Sequence, residues 1–379
     1  MIPRLYKQRC CKAGIIESQS DIMIPRLYKQ RCCKAGIIES QSDIMIPAII
    51  QNSDRNHGGT YMKKLNVGIL GFGTVGGGAY EILTKNHDLI TQRTGVSIDL
   101  IKALVRRKRD GIPAHLTTED PDDILKNPAI DVVVETMGGI EPATSFMLQA
   151  MENGKHVVTA NKAAVAASYE KLQAAAAKNH VKLLFEASVG GGIPVLTSIQ
   201  NALQGNAFLE VMGIVNGTTN YILTKMTEDG SDYADVLKDA QAKGFAEADP
   251  TADVEGIDAA NKLSILIALL FDQYIPPQEI PTTGISKITG AEIAAAASEG
   301  CKLKLIAHAS IDADGNVTAS VAPEKLPVSH PLAGVSNEYN AVYVTGDMVG
   351  DVMFYGKGAG ALPTGSAIVG DIISIAKSI

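Results

Sequence analysis

Asp258 and Lys262 stand four residues apart where a long apolar run begins, a spacing that on a helix sets an acid and an amine on one face. In water such a pair is a surface ion pair worth about 0.3–0.5 kcal/mol. Out of water the balance changes, because burial loosens the ammonium's proton and makes lysine a usable acid or base near neutral pH. Residues 263–271 are apolar apart from Ser264, so this face meets protein or a cleft. Glu247 lies in the loop just ahead, before the Asp249-Pro250 turn. A second amine, Lys162, follows the run HVVT within ANK. Two amines and two carboxylates meeting in one cleft make an acid–base site; scattered, they are solvated surface.

The frame that would bring them together starts from glycine spacing. Residues 65–70 (LNVGIL) read as a strand, GFGTVGGG follows, and AYEILTKN continues with helical spacing. Gly71, Gly73 and Gly76 thus form G-x-G-x-x-G at a strand-to-helix join. The first permits a tight turn, the second lets a pyrophosphate approach the backbone, and the third packs helix on strand. The helix start then offers free N–H groups to phosphates. No Gly-Lys-Ser/Thr follows, so this is not a Walker A loop. The next strand, residues 98–105, runs into Arg106, Arg107, Lys108 and Arg109, where an NAD-selective site usually has an acid. Cations there would pair with a 2′-phosphate and favour NADP(H), with NAD(H) left open; the plainer reading is a solvated basic turn. Strands at 130–135, 156–159 and 181–185 alternate with helices, and Thr136, Asn161, Lys162 and Glu186 fall at their carboxyl ends. This predicts a parallel doubly wound sheet with ligands beyond those ends.

Composition narrows the class. The 379 residues are 46% hydrophobic and 20% charged, and a net charge of −7 argues against nucleic acid as a partner. No run reaches the ~20 apolar residues of a membrane span. Residues 1–22 recur unchanged as 23–44, which reads as a duplication of coding sequence rather than a repeat fold. Residues 1–61 are therefore expected to be a disordered tail outside the fold. That tail holds Cys10, Cys11, Cys32 and Cys33, whose spacing merely copies the duplication. Only Cys301 remains in the body, which excludes a disulfide framework and fits a reducing, cytoplasmic setting.

Seven segments in order, GFGTVGGG, ETMGG, ANK, EASVGGGIP, GIVNGTTNYIL, GFAEADPTADVEGIDAANK and GKGAGALPTGSAIVGD, resemble homoserine dehydrogenase over residues 62–379. The resemblance implies reversible NAD(P)H-linked reduction of L-aspartate 4-semialdehyde to L-homoserine, on the route to threonine, methionine and isoleucine. It implies Lys262 as proton donor, Lys162 as a second lysine at the site, and Glu247, Asp258 and Thr218 as substrate-binding residues. The implied cofactor contacts are Phe72, Thr74, Val75, Arg106, Lys108, Thr136, Lys162, Gly244 and Gly360, beside the three motif glycines. Glu186, Val189, Gly191 and Ile193 fall where the family holds a sodium ion, largely through backbone carbonyls. A homodimer or homotetramer is implied as well. Many members carry a C-terminal regulatory domain; here the chain stops soon after GDIISIAK, so no threonine feedback through such a domain is expected.

The expected architecture is α/β: a Rossmann domain over 62–188, an α+β substrate and oligomerisation domain over 189–355, and a segment at 356–379 packing back on the first. Rival chemistries lack parts. Tyr221-x-x-x-Lys225 mimics a short-chain reductase pair, yet the glycine spacing of that family is missing and Phe208 stands where its serine belongs. Cys301 would be the nucleophile of an acylating dehydrogenase but sits in the amphipathic CKLKLIAHA. A nucleotide sensor without catalysis would have no need for two lysines and two carboxylates.

Overall fold

A computed structural model describes residues 63–107 and 111–378. The duplicated segment and Lys108 lie outside the described residues.

The first sheet has six strands. β1 (Lys63–Leu70), β2 (Val96–Leu104), β3 (Thr117–Thr118), β4 (Val132–Glu135), β5 (His156–Thr159) and β6 (Leu183–Leu184) pair in parallel in the order β3-β2-β1-β4-β5-β6. That is the doubly wound order, whose ligand crevice opens where the strand order reverses, here between β1 and β4. Val132, Val133 and Val134 are fully buried, as expected for a strand covered on both faces. α1 (Thr74–Lys85), α2 (His87–Thr94), α3 (Ala143–Glu152), α4 (Lys162–Ala167) and α5 (Tyr169–Lys178) supply the covering. The last strand is shorter than the expected 181–185, because Phe185 already turns into a short 3-10 segment at Glu186–Ser188.

The second sheet is antiparallel. β7 (Phe208–Ile214), β8 (Cys301–Ile311), β9 (Val317–Pro327), β10 (Tyr339–Gly346) and β11 (Gly350–Lys357) pair in the order β11-β10-β7-β8-β9. α6 (Gly217–Asp229), α7 (Tyr233–Ala242), α8 (Ile257–Leu270) and α9 (Gly290–Ser298) belong to this half. α6 starts at Gly217 because Asn216 caps it by accepting the Thr219 N–H. The amphipathic CKLKLIAHA lies within β8, and its Cys301 stays partly exposed.

One hydrophobic core joins the sheets: Val133, Met147 and Val165 from the first half cluster with Val211, Leu263 and Leu305 from the second. The final helix, α10 (Ala361–Ala376), returns to the first sheet and buries Ile368, Ile372 and Ile375 with Val67, Ile69 and Ala79. It crosses α1 closely enough that a Cβ on Gly365 would stand 2.7 Å from the Ala79 nitrogen. Only glycine permits that crossing. No described helix is long and apolar enough to cross a membrane.

Candidate active site

The dinucleotide end is built on the turn between β1 and α1. A Cβ on Gly76 would stand 2.3 Å from the Gly71 carbonyl oxygen and 2.9 Å from the Thr136 hydroxyl. Thr136, just past β4, donates that hydroxyl to the Gly71 carbonyl at 2.5 Å and so latches the turn to the next strand. A Cβ on Gly73 would meet nothing within 4 Å, so this side of the turn is open. Gly73 gives α1 no side-chain cap, which leaves the first N–H groups of the helix for phosphate oxygens. The adjoining cleft of about 250 Å³ is lined by Gly71, Phe72, Gly73, Leu104, Val105, Arg106, Thr136 and Met137. Turn, bare helix start and cation fit a dinucleotide.

The remaining expected contacts are spread more widely. Thr74 and Val75 open α1, and the Phe72 ring packs edge-on to Tyr80 with centroids 5.6 Å apart. Gly244 lies in an exposed loop after α7, and Gly360 caps α10 at φ +122°. Neither lines the cleft at the turn.

The chemical end gathers on α8. This helix is buried on nearly every face, and it carries Asp258 and Lys262 inward with the apolar residues. Lys262 Nζ donates to Asp258 Oδ2 and to the Val215 carbonyl, both at 2.6 Å. Lys162 reaches the other oxygen, Nζ to Asp258 Oδ1 at 2.9 Å, from the first position of α4. One carboxylate therefore holds two ammonium groups. Their surroundings differ: the Lys262 side chain is 9% exposed and that of Lys162 43%. Burial pushes the Lys262 pKa down, with the Lys162 charge adding to the effect against the pull of Asp258. Asp258 instead dominates at Lys162 and pushes its pKa up. Burial opposes the charge of Asp258, but Lys262 and Lys162 together hold its carboxyl well below the usual range.

Glu247 is exposed, and its charge acts on Lys162. Thr218 donates its hydroxyl to the Phe245 carbonyl at 2.7 Å, tying the Glu247 loop to α6. Two residues that sequence reasoning passed over complete the cluster. Asn216 donates Nδ2 to Asp258 Oδ2 at 2.9 Å and to Asp253 Oδ1 at 2.7 Å. Burial pushes the Asp253 carboxyl up, Asn216 pulls it down, and the charges of Asp258, Lys262 and Lys162 act on it. The available signal was the recurrence of Asn and Asp in VNGTTN and ADPTADVEGID beside the Asp258–Lys262 pair. A larger groove of about 790 Å³ along α4 and α8 has none of Lys162, Asp258 and Lys262 in its lining.

The turn expected to hold sodium sits between β6 and the segment that starts the second half. The Glu186 carboxylate accepts N–H bonds from Leu196 at 2.9 Å and Thr197 at 2.6 Å. The Ile193 carbonyl accepts the Val195 N–H at 2.8 Å. Both oxygens of the Glu186 carboxylate and the Ile193 carbonyl are thus engaged by backbone N–H groups. Among the described residues no cluster of three His, Cys, Asp or Glu side chains could hold a metal.

The rival pair does not form a site. The Tyr221 hydroxyl donates to Asp239 Oδ2 at 2.5 Å and accepts from Lys243 at 2.8 Å, while Lys225 pairs with Asp229 at 3.4 Å.

A family model described as homoserine dehydrogenase matches residues 194–373, and one described as its NAD binding domain matches residues 71–186. Homoserine dehydrogenase of Bacillus subtilis (strain 168) is 43% identical over 322 residues, covering 84% of this chain and 74% of that protein. Its counterpart in Mycobacterium tuberculosis (strain H37Rv) is 43% identical, with 83% and 73% covered. The solved structure of a homoserine dehydrogenase from Thiobacillus denitrificans superposes with a TM-score of 0.80 at 42% identity, covering 83% of this chain and 74% of that one. A hyperthermophilic archaeal homoserine dehydrogenase in complex with NADPH gives 0.72 at 27% identity, covering 83% and 98%. With both halves matched and this identity across most of its length, the chain belongs to the homoserine dehydrogenase family.

Proposed function

We propose that, in the NAD(P)-dependent interconversion of L-aspartate 4-semialdehyde and L-homoserine, Lys262 is the acid and Lys162 the group that orients the carbonyl. The observation that carries this is the single Asp258 carboxylate shared by one buried and one half-exposed ammonium. The lowered pKa of Lys262 suits proton release to a nascent alkoxide, and the raised pKa of Lys162 keeps a fixed positive charge. The nicotinamide supplies the hydride when bound. Glu247 and Asp258 answer the substrate's α-ammonium, and Thr218 holds the loop that presents Glu247. Gly71, Phe72, Gly73, Thr74, Val75, Gly76, Thr136, Lys162, Gly244 and Gly360 are read as the dinucleotide contacts, with Arg106 and Lys108 toward a 2′-phosphate and NADP(H) preferred.

The test follows NADPH absorbance after L-aspartate 4-semialdehyde is added. Glu247→Gln should raise KM for the semialdehyde about tenfold or more, the cost of one charged hydrogen bond, with kcat near the parent value. An unchanged KM removes Glu247 from the substrate site.

We further read Glu186, Val189, Gly191 and Ile193 as a sodium site held chiefly by carbonyl oxygens. Turnover should then fall when choline replaces sodium and return on its addition. The domain limits we favour are 62–188, 189–355 and 356–379; the gap between β6 and β7 supports the first boundary. Exposed Met353 and Tyr355 on edge strand β11 support a homodimer or homotetramer, which sedimentation would distinguish from a monomer. The cytoplasm is the setting that fits this chemistry.

A further inference from the structure

Glu135 ends β4, the strand that follows the crevice, and it is fully buried beyond three valines. A fourth apolar residue would serve the sheet as well, and a buried carboxylate is costly unless donors surround it. Here they do. Oε1 accepts the Met137 N–H at 2.7 Å and Asn161 Nδ2 at 3.4 Å, and Oε2 accepts the Thr159 hydroxyl at 2.6 Å. The Thr159 oxygen accepts the Asn161 N–H at 3.0 Å. Asn161 then caps α4, its Oδ1 accepting the Ala164 N–H at 3.1 Å, while its Nδ2 donates to the Gly139 carbonyl at 2.6 Å. Lys162 is the next residue.

One carboxylate therefore grips two loops with different duties. Thr136 and Met137 line the dinucleotide cleft, and Asn161 starts the helix that carries Lys162. Burial raises the Glu135 pKa against the pull of Thr159, Met137 and Asn161. We propose that Glu135 is a positioning residue for hydride transfer, setting the Lys162 ammonium at a fixed distance from the dinucleotide cleft. The proposal rests on the role assigned to Lys162.

Glu135→Ala, Glu135→Gln and Thr159→Val, each alone and combined with Lys162→Ala, test it through kcat, semialdehyde KM, NADPH Kd and thermal unfolding. A misplacement of about 1 Å can cost about 100-fold, so Glu135→Ala should lower kcat about 10- to 100-fold. Thr159→Val should cost about fivefold, the worth of one hydrogen bond. Glu135→Gln should recover most of the loss, because it keeps an acceptor oxygen and the Thr159 hydroxyl can turn to accept. In the Lys162→Ala background the same changes should alter kcat less than about threefold, since coupled residues are not additive. If Glu135→Ala fails to fold, Thr159→Val carries the same comparison. A folded Glu135→Ala enzyme with parental kcat, or equal losses in both backgrounds, overturns the proposal alone. Parental kcat in Lys162→Ala by itself overturns the lysine assignment and this proposal with it.

Discussion

Replacing Lys262 with methionine keeps the buried stem and removes only the ammonium. Two bonds disappear with it, to the Val215 carbonyl and to Asp258 Oδ2. The carbonyl is left unpaired, at a cost of about 1–3 kcal/mol. Asp258 keeps Lys162 at 2.9 Å and Asn216 at 2.9 Å, so it escapes the full penalty of a broken buried pair. Against the ~5–15 kcal/mol of a typical fold the variant stays folded. Its turnover should nevertheless fall about 10²- to 10⁴-fold, the usual worth of a positioned acid. The assay is kcat for NADPH-dependent reduction across the neutral to alkaline range, alongside urea unfolding. Reduction needs protonated Lys262, so the parental rate should fall as pH rises through the lowered pKa, while oxidation of homoserine rises through the same point. Lys262→Met should flatten both limbs. Lys162→Ala removes a positive neighbour that lowers the Lys262 pKa, and should move the limb to higher pH. Turnover within about tenfold of the parent, with the alkaline limb intact, refutes the assignment.

Asp258→Asn should destabilise more than Lys262→Met, by about 3–5 kcal/mol, because it strands a buried ammonium without an anion; urea midpoints in the reverse order would contradict the shared-carboxylate picture. Gly365→Val should cost about 1–3 kcal/mol by forcing α10 off α1, and should weaken NADPH binding through the phosphate turn. Gly370→Ala, in the same helix with open space at its Cβ, is the control and should be neutral or slightly stabilising. Arg106→Ser should lower the ratio of kcat/KM for NADPH over NADH about tenfold or more if a 2′-phosphate sits there; an unchanged ratio makes Arg106 a solvated basic turn.

The first sheet was legible because its strands are covered on both faces and read as apolar runs stopped by glycine or a polar turn. LNVGIL and IDVVVE are of this kind. The second sheet was legible only as a class. In β9 (VTASVAPEKLP) Thr, Ser, Pro, Glu and Lys break up the apolar residues and burial follows no period of two, so neither an apolar run nor an alternation marks the strand. Two-residue β3 carries no periodicity at all. At the site, Asp258 and Lys262 were readable from their spacing on one helix. Lys162 was readable as a strand-end residue, but its partner, 96 positions away in the chain, was not. Asn216 reads as a helix cap, and its second duty toward Asp253 and Asp258 exists only once α6 and α8 pack together.

That packing also decides which lysine does what. Lys162 and Lys262 have the same side chain, the same counter-ion and nearly the same distance to it. Nothing local to ANK or AANK ranks one above the other as an acid. The ranking comes from depth: α8 is the inner helix and takes its lysine into the core, whereas α4 has six residues and presents its first at the rim. Burial then lowers one pKa while the common carboxylate raises the other, and two groups driven apart in this way divide acid and orienting roles between them. A change that let water reach Lys262, leaving every site residue in place, should therefore raise its pKa and weaken it as an acid while sparing substrate binding. Trimming Leu266 or Ile267, both fully buried on α8 beyond Lys262, to alanine loosens that packing. Its mark would be an alkaline limb moved to higher pH at unchanged KM.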